Sequence, residues 1–490
     1  MTRAGLRKAE SLAEIDVLRE EIAAWRDRWD DDPAVDAHRT QLARLAGVLG
    51  ALTADIDAWA RAEFDRAAGT GAAYEVGRKA DELALHVRRL WRWYADKLDL
   101  LGGAPADPAV RTVRAADEVI WSCWKTAWTR LAEGGPPAAP IPYLEARFTA
   151  SAMPCDSAPR GIKPGDGDEL LRRHIDLLPI PVIALPPACT RRPWWLIVAA
   201  HEAGHLFQAE ARLTAATAAR VEAAALDPCD ADAGNEAGDA DGAGEEGDEL
   251  ADRWGTWARE VFADAFAVLL TGPAAIWAIA ELEMRADLGH VPEGVSLYPP
   301  PLVRVAVANE VARQAGLPGY DPGFPPTPAT RDKRLGRLMN AAPAVAGAIL
   351  GLTGPSGREL KSLGTEAANA FLPDKRIEVW RDALLGDGPP RTEHGLSAAR
   401  FCASAGVAAW QRIAAELSDT ELRDTELRDT ELRDTELRDR AARLAARLLR
   451  ALPDCGEAGE RGGRVTPATR QANHDLARRI AADLYRNIGA

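Results

Sequence analysis

Residues 194–207 read WWLIVAAHEAGHLF. The stretch has no Pro and a single Gly, and it opens a helical run predicted from Trp194 to about Ala225. Inside this apolar helix stand two imidazoles and a carboxylate. Residues four apart lie one above the other on a helix face, so His201 and His205 can approach one metal ion together. Glu202 sits about 100° further round. It is close enough to polarise a water on that metal without entering the ligand set. The bland alternative is a pair of hydrogen-bonded core histidines, since buried polar groups must be partnered.

A catalytic zinc needs a third protein ligand and one open position. The extended pattern that continues with Gly and a third His on the same helix is absent, because Gln208 and Ala211 occupy those places. A second helix offers Glu260-Val261-Phe262-Ala263-Asp264, beginning 55 residues after His205. Glu260 is the candidate third ligand. Asp264, one turn on, shares its face and can accept the free N–H of a metal-bound imidazole, His201 in the first instance. Trp257, Val261, Phe262 and Phe266 around the pair argue for burial over a surface acidic cluster.

H-E-A-G-H followed by E-V-F-A-D resembles the gluzincin arrangement of zinc metallopeptidases. It is most similar to the CAAX-processing and HtpX-type membrane proteases, whose second helix reads E-x-x-A-D and whose later motif is S/T-H-P-x-x-x-x-R. Here Ser296-Leu297-Tyr298-Pro299 leads to Arg304, with Tyr298 in the place of the family histidine. The likeness spans about residues 178–305 and lacks the membrane spans, so it implies no prenylated or membrane substrate. It implies one zinc per chain and metal-assisted hydrolysis of a protein or peptide substrate, with Glu202 as general base. Tyr298 is the candidate oxyanion donor, with Arg304 holding its segment; His290 and His394 are alternative donors. Cys155 is a remote candidate for capping the metal. Two other functions stay open: a helical scaffold with a zinc site and no turnover, and a zinc amidase acting on a non-peptide substrate.

The rest of the chain frames this centre. At 490 residues it exceeds one compact core, and two or three domains are expected. Arg outnumbers Lys by 52 to 8 and the net charge is −14, which argues against a nucleic-acid partner. Ten acidic residues and no basic ones fall in 227–249, predicted as a solvated loop with only a faint likeness to calcium sites. The N-terminal residues show no apolar signal region. The apolar stretch Phe266–Ala280 is too short to span a membrane and is cut by Thr271-Gly272-Pro273. Six scattered cysteines without a C-x-x-C pair fit a reducing cytoplasm.

Helical spacing at Leu18, Ile22, Trp25 and Trp29, and at Leu83, Val87, Leu90 and Tyr94, predicts a bundle over 1–137 that ends at Gly134-Gly135-Pro136-Pro137. Tyr143–Ala152 and Leu178–Leu185 are predicted strands, the second at a sheet edge because of Pro179 and Pro181. That edge is the expected place for a substrate peptide to add as a strand. Helix is expected again from Glu249 to Leu270. Beyond 320 a helical region carries four D-T-E-L-R repeats at 419–438. There Asp and Arg pair one turn apart, while the leucines spiral round the helix as a solvated spacer. The fold class expected is α+β and predominantly α-helical. A zincin-like domain with a small sheet occupies 138–320, and helical regions at 1–137 and 321–490 flank it as possible protein-contact arms.

Overall fold

A computed structural model describes the chain except residues 1, 31–32, 147–149, 154–165, 179, 227–239, 285–287, 292–295, 324–332, 387–394, 396, 422–429, 457–460, 462–466 and 488–490. The protein is predominantly helical with one small sheet. Helices α1 (Arg3–Asp30), α2 (Arg39–Arg66) and α3 (Gly69–Leu101) form the expected N-terminal bundle. Helix α4 (Pro108–Leu131) follows, started by Asp107, whose carboxylate accepts from the Ala109 N–H at 2.8 Å. In the bundle the indole N–H groups of Trp25 and Trp29 both donate to Asp99 at 2.8 Å, so these large rings are buried with their polar atoms satisfied.

The sheet has strands β1 (Ile141–Leu144), β2 (Ser151–Met153) and β3 (Val182–Leu185), in the order β1-β3-β2. Two expectations are corrected here. The span Tyr143–Ala152 is not one strand but the end of β1 and the start of β2. The second predicted strand, β3, is central rather than at the edge, parallel to β1 and antiparallel to β2. The reason is that Pro179 and Pro181 precede its first ladder residue, Val182, so every donor within β3 is intact. Helix α5 (Asp166–Leu177) lies between β2 and β3 in the chain.

β3 is buried on both faces and separates two apolar cores. Val182 and Ala184 face a core built from α1–α3, α5, β1 and α16 (Pro467–Asn487). Ile183 and Leu185 face a larger one. That second core contains α4, α6 (Val198–Glu210), α8 (Ala240–Thr271), α9 (Pro273–Glu283), α10 (Pro301–Gln314) and α11 (Lys333–Leu350). It also takes in α12 (Thr365–Ala370), α13 (Arg376–Leu385), α14 (Ala398–Glu421) and α15 (Thr430–Asp454). No described helix is long and apolar enough to cross a membrane.

The helical run from Trp194 is interrupted. A 3-10 turn (Pro193–Ile197) leads into α6, which stops at Glu210, and α7 (Thr214–Leu226) begins afresh. Arg212 takes a left-handed φ of 56°, while the Leu213 N–H reaches the Gln208 carbonyl and the Arg212 N–H that of Ala209, closing the helix end. Gly fills that position in most such caps, so an Arg there left no mark to read. The loop expected over 227–249 is also corrected: 240–249 belongs to α8, while 227–239 lies outside the described residues. Gly272 at φ 61° and Pro273 at the first position of α9 divide the apolar stretch as expected. In the repeats, α14 and α15 cover both ends, Asp434 stands 3.9 Å from Arg438, and both are exposed.

Candidate metal centre

Four helices meet at the centre. α6 carries His201, Glu202 and His205; α8 carries Glu260 and Asp264; α9 ends at Glu283; α10 carries Arg304. What lets α6 lie against α8 is Gly204, between the two histidines. A Cβ there would stand 3.1 Å from the Ala263 Cα and 3.1 Å from Phe266. The missing side chain thus sets the approach of the helix that holds Glu260 and Asp264 on either side of Ala263.

That approach places His201 Nε2 3.5 Å from Glu260 Oε2 and His205 Nε2 3.5 Å from Glu260 Oε1. Ligands about 2.0–2.1 Å from a tetrahedral zinc stand roughly 3.3–3.4 Å apart, so both separations fit a shared ion. One donor atom from each of the three residues lies within 4.8 Å of the others. Glu202 is buried beside them and stays out of this set.

The support behind the ligands is ionic. Asp264 Oδ1 is 2.8 Å from His201 Nδ1. The imidazole N–H is not aligned on that oxygen, so the contact is an ion pair by distance rather than a formed hydrogen bond. Arg304 grips Asp264 through Nε at 2.6 Å and Nη2 at 2.9 Å, and its Nη1 donates to Glu283 at 2.8 Å. Its Nη2 also stands 3.6 Å from Glu260. His205 Nδ1 is buried and has no hydrogen-bond partner among the described residues, so the second imidazole is held only from its Nε2 side, by Glu260.

Charge follows this geometry. Burial opposes protonation of His201, but Asp264, Glu260 and Glu202 outweigh it and raise its pKa to about 10. Burial would raise Glu260, yet the two imidazoles hold its carboxyl far below the usual carboxylate range. Asp264 is likewise lowered, against burial, by Arg304 and His201. Arg304 is raised, against burial, by Asp264, Glu260 and Glu283. The centre therefore attracts positive charge, which a proton on His201 or a metal ion can supply.

Of the other candidates, Tyr298 is half exposed, with its ring centre 5.8 Å from the Arg304 guanidinium carbon. The Trp257 indole N–H donates to the Ser296 carbonyl at 2.9 Å, fastening the Tyr298 segment to α8 one turn before Glu260. His290 is exposed. His394 and Cys155 lie outside the described residues. Two contributors went unread in the sequence. The sequence pattern gives Gly204 no role beyond its place between the histidines, and Glu283, 21 residues before Arg304, carries no pattern that links it to that arginine. Compared with protein-family models, curated proteins and solved structures, the chain matches none.

Proposed function

We propose that the protein is a zinc-dependent peptidase with a zincin-like centre, holding one metal on His201, His205 and Glu260. The observation that carries this reading is the pair of 3.5 Å separations from the two imidazoles to different oxygens of Glu260, with Glu202 adjacent and outside the ligand set. A purely structural site has no use for that extra carboxylate. A zinc ion bound there would supply Lewis acidity towards water and the scissile carbonyl. Glu202 then accepts the water proton at its carboxylate and delivers it to the leaving nitrogen. Asp264, locked by Arg304 and Glu283, orients His201. Tyr298, beside Arg304 at the exposed side, donates its phenol hydrogen to the developing oxyanion. Because β3 is enclosed, an extended peptide cannot add to it. The edge that packs on α6 is β2, and that is where a substrate strand would pair. The four cysteines among the described residues are buried and free, which accords with a reducing cytoplasmic setting.

Metal analysis of the purified protein and of two variants tests the proposal. The wild type should contain about one zinc per chain, and His201→Ala should lose it. Glu202→Gln should keep the zinc and lose cleavage of a peptide library by at least about a hundredfold. Absence of zinc sinks the whole reading. Equal turnover by Glu202→Gln removes the general base, and zinc without turnover on peptides leaves a scaffold or an amidase.

A further inference from the structure

Gln208 lies on α6 one turn after His205, and only 1% of it is exposed. Glutamine is ordinarily a surface residue. An amide that a chain does bury is as a rule hydrogen-bonded, because leaving it unpartnered costs stability. The Gln208 amide breaks that rule. Its nitrogen is buried with no hydrogen-bond partner among the described residues. The position on the helix says what the amide can reach. At 100° per residue, Gln208 stands about 60° from His205 and about 20° from His201. It is therefore on the face that meets Glu260 and Asp264 of α8. Residues three apart have Cβ atoms about 5–6 Å from each other, and helical side chains lean towards the N-terminus, here back over Gly204 and His205.

The two imidazoles of the centre are backed unequally. An imidazole that binds a metal through Nε2 carries its proton on Nδ1, and that N–H calls for an acceptor. His201 Nδ1 has Asp264 Oδ1 at 2.8 Å. His205 Nδ1 is buried with no acceptor among the described residues. Two buried polar groups one turn apart on α6 thus each lack a partner. A half-turn about the last torsion of Gln208 exchanges the N–H and C=O ends of its amide, which turns a second donor into the missing acceptor.

Resting on the metal centre proposed above, we infer that Gln208 is a positioning residue for it: its amide carbonyl accepts the His205 Nδ1–H when Nε2 takes the metal, as Asp264 does for His201. Zinc titration of the metal-free full chain tests this, with affinity read by competition against a chromophoric chelator and the imidazole protons read by NMR. In the wild type, two low-field imidazole N–H protons should appear as zinc is added. Gln208→Leu, close in volume but without either polar end, should bind zinc at least tenfold more weakly and show one of those protons in place of two. Gln208→Glu keeps an acceptor and should restore both. Metal-free Gln208→Leu should melt no lower than the wild type, because the amide it removes had no partner. Wild-type affinity in Gln208→Leu, or both protons retained there, would overturn the inference and leave the metal centre standing. A lower metal-free melting temperature would make Gln208 a packing element and overturn it as well. A wild type that takes up no zinc removes the centre itself, and this role with it.

Discussion

Arg304 has three carboxylates within reach and is itself almost wholly buried. Removing one partner of a buried ion pair leaves the other uncompensated in a poor solvent for charge. Arg304→Met should therefore cost about 3 kcal/mol of unfolding free energy, at the low end of the range for buried pairs because His201 still faces Asp264. Urea denaturation of metal-depleted protein measures it. A loss under about 1 kcal/mol would show that the arginine adds little beyond what His201 already provides. At this scale the sequence was informative. His201, His205, Glu260 and Asp264 could be named because helical spacing converts residue number into a shared face, and Arg304 through the motif the resemblance supplied. Glu283 could not, since it belongs to another helix and no periodicity joins α9 to α10.

At the scale of elements, the centre depends on how closely α6 and α8 pack. The Ala263 backbone beneath Gly204 cannot move aside as a flexible side chain would. Gly204→Ala should keep the fold but part the helices by a few tenths of an ångström, weakening zinc binding by roughly tenfold or more. Competition against a chromophoric chelator reads this directly, and wild-type affinity in the variant would release Gly204 from the role. Most helices were legible from apolar spacing. The errors fell where tertiary context decides: Arg212 ended a helix without a Gly, and the prolines near β3 stood before the strand instead of within it. The acidic residues 240–249 joined α8, which runs on without a break into the buried residues around Glu260.

Across the whole molecule, the two cores draw on distant parts of the chain. A buried relay holds one corner of the core that the N-terminal bundle shares with α16: His86 Nε2 lies 2.8 Å from His174 Nδ1, and His174 Nε2 lies 3.1 Å from Asp483, joining α3, α5 and α16. Burial lowers both imidazoles, His86 to about 3, where the His174 and Arg89 charges add to burial and Asp483 opposes it. The unfolded chain then holds more protons than the folded one between about pH 3 and 6.5. The stabilisation is complete above pH 6.5 and is lost as pH falls through that window. His86→Gln should lessen the drop in urea midpoint between pH 7 and pH 5, and an unchanged drop would assign acid sensitivity elsewhere. Nothing in the linear pattern announced that relay, because its members lie 88 and 309 residues apart. The docking of α16 has one more consequence, in the timing of synthesis. Leu476, Ile480 and Leu484 complete the core of the N-terminal bundle, yet they are translated about 350 residues after α4 ends. At ribosomal speeds of about 5–20 residues per second, the bundle waits roughly 20–70 s with an open apolar face. The nascent chain is a natural client for a chaperone throughout that interval.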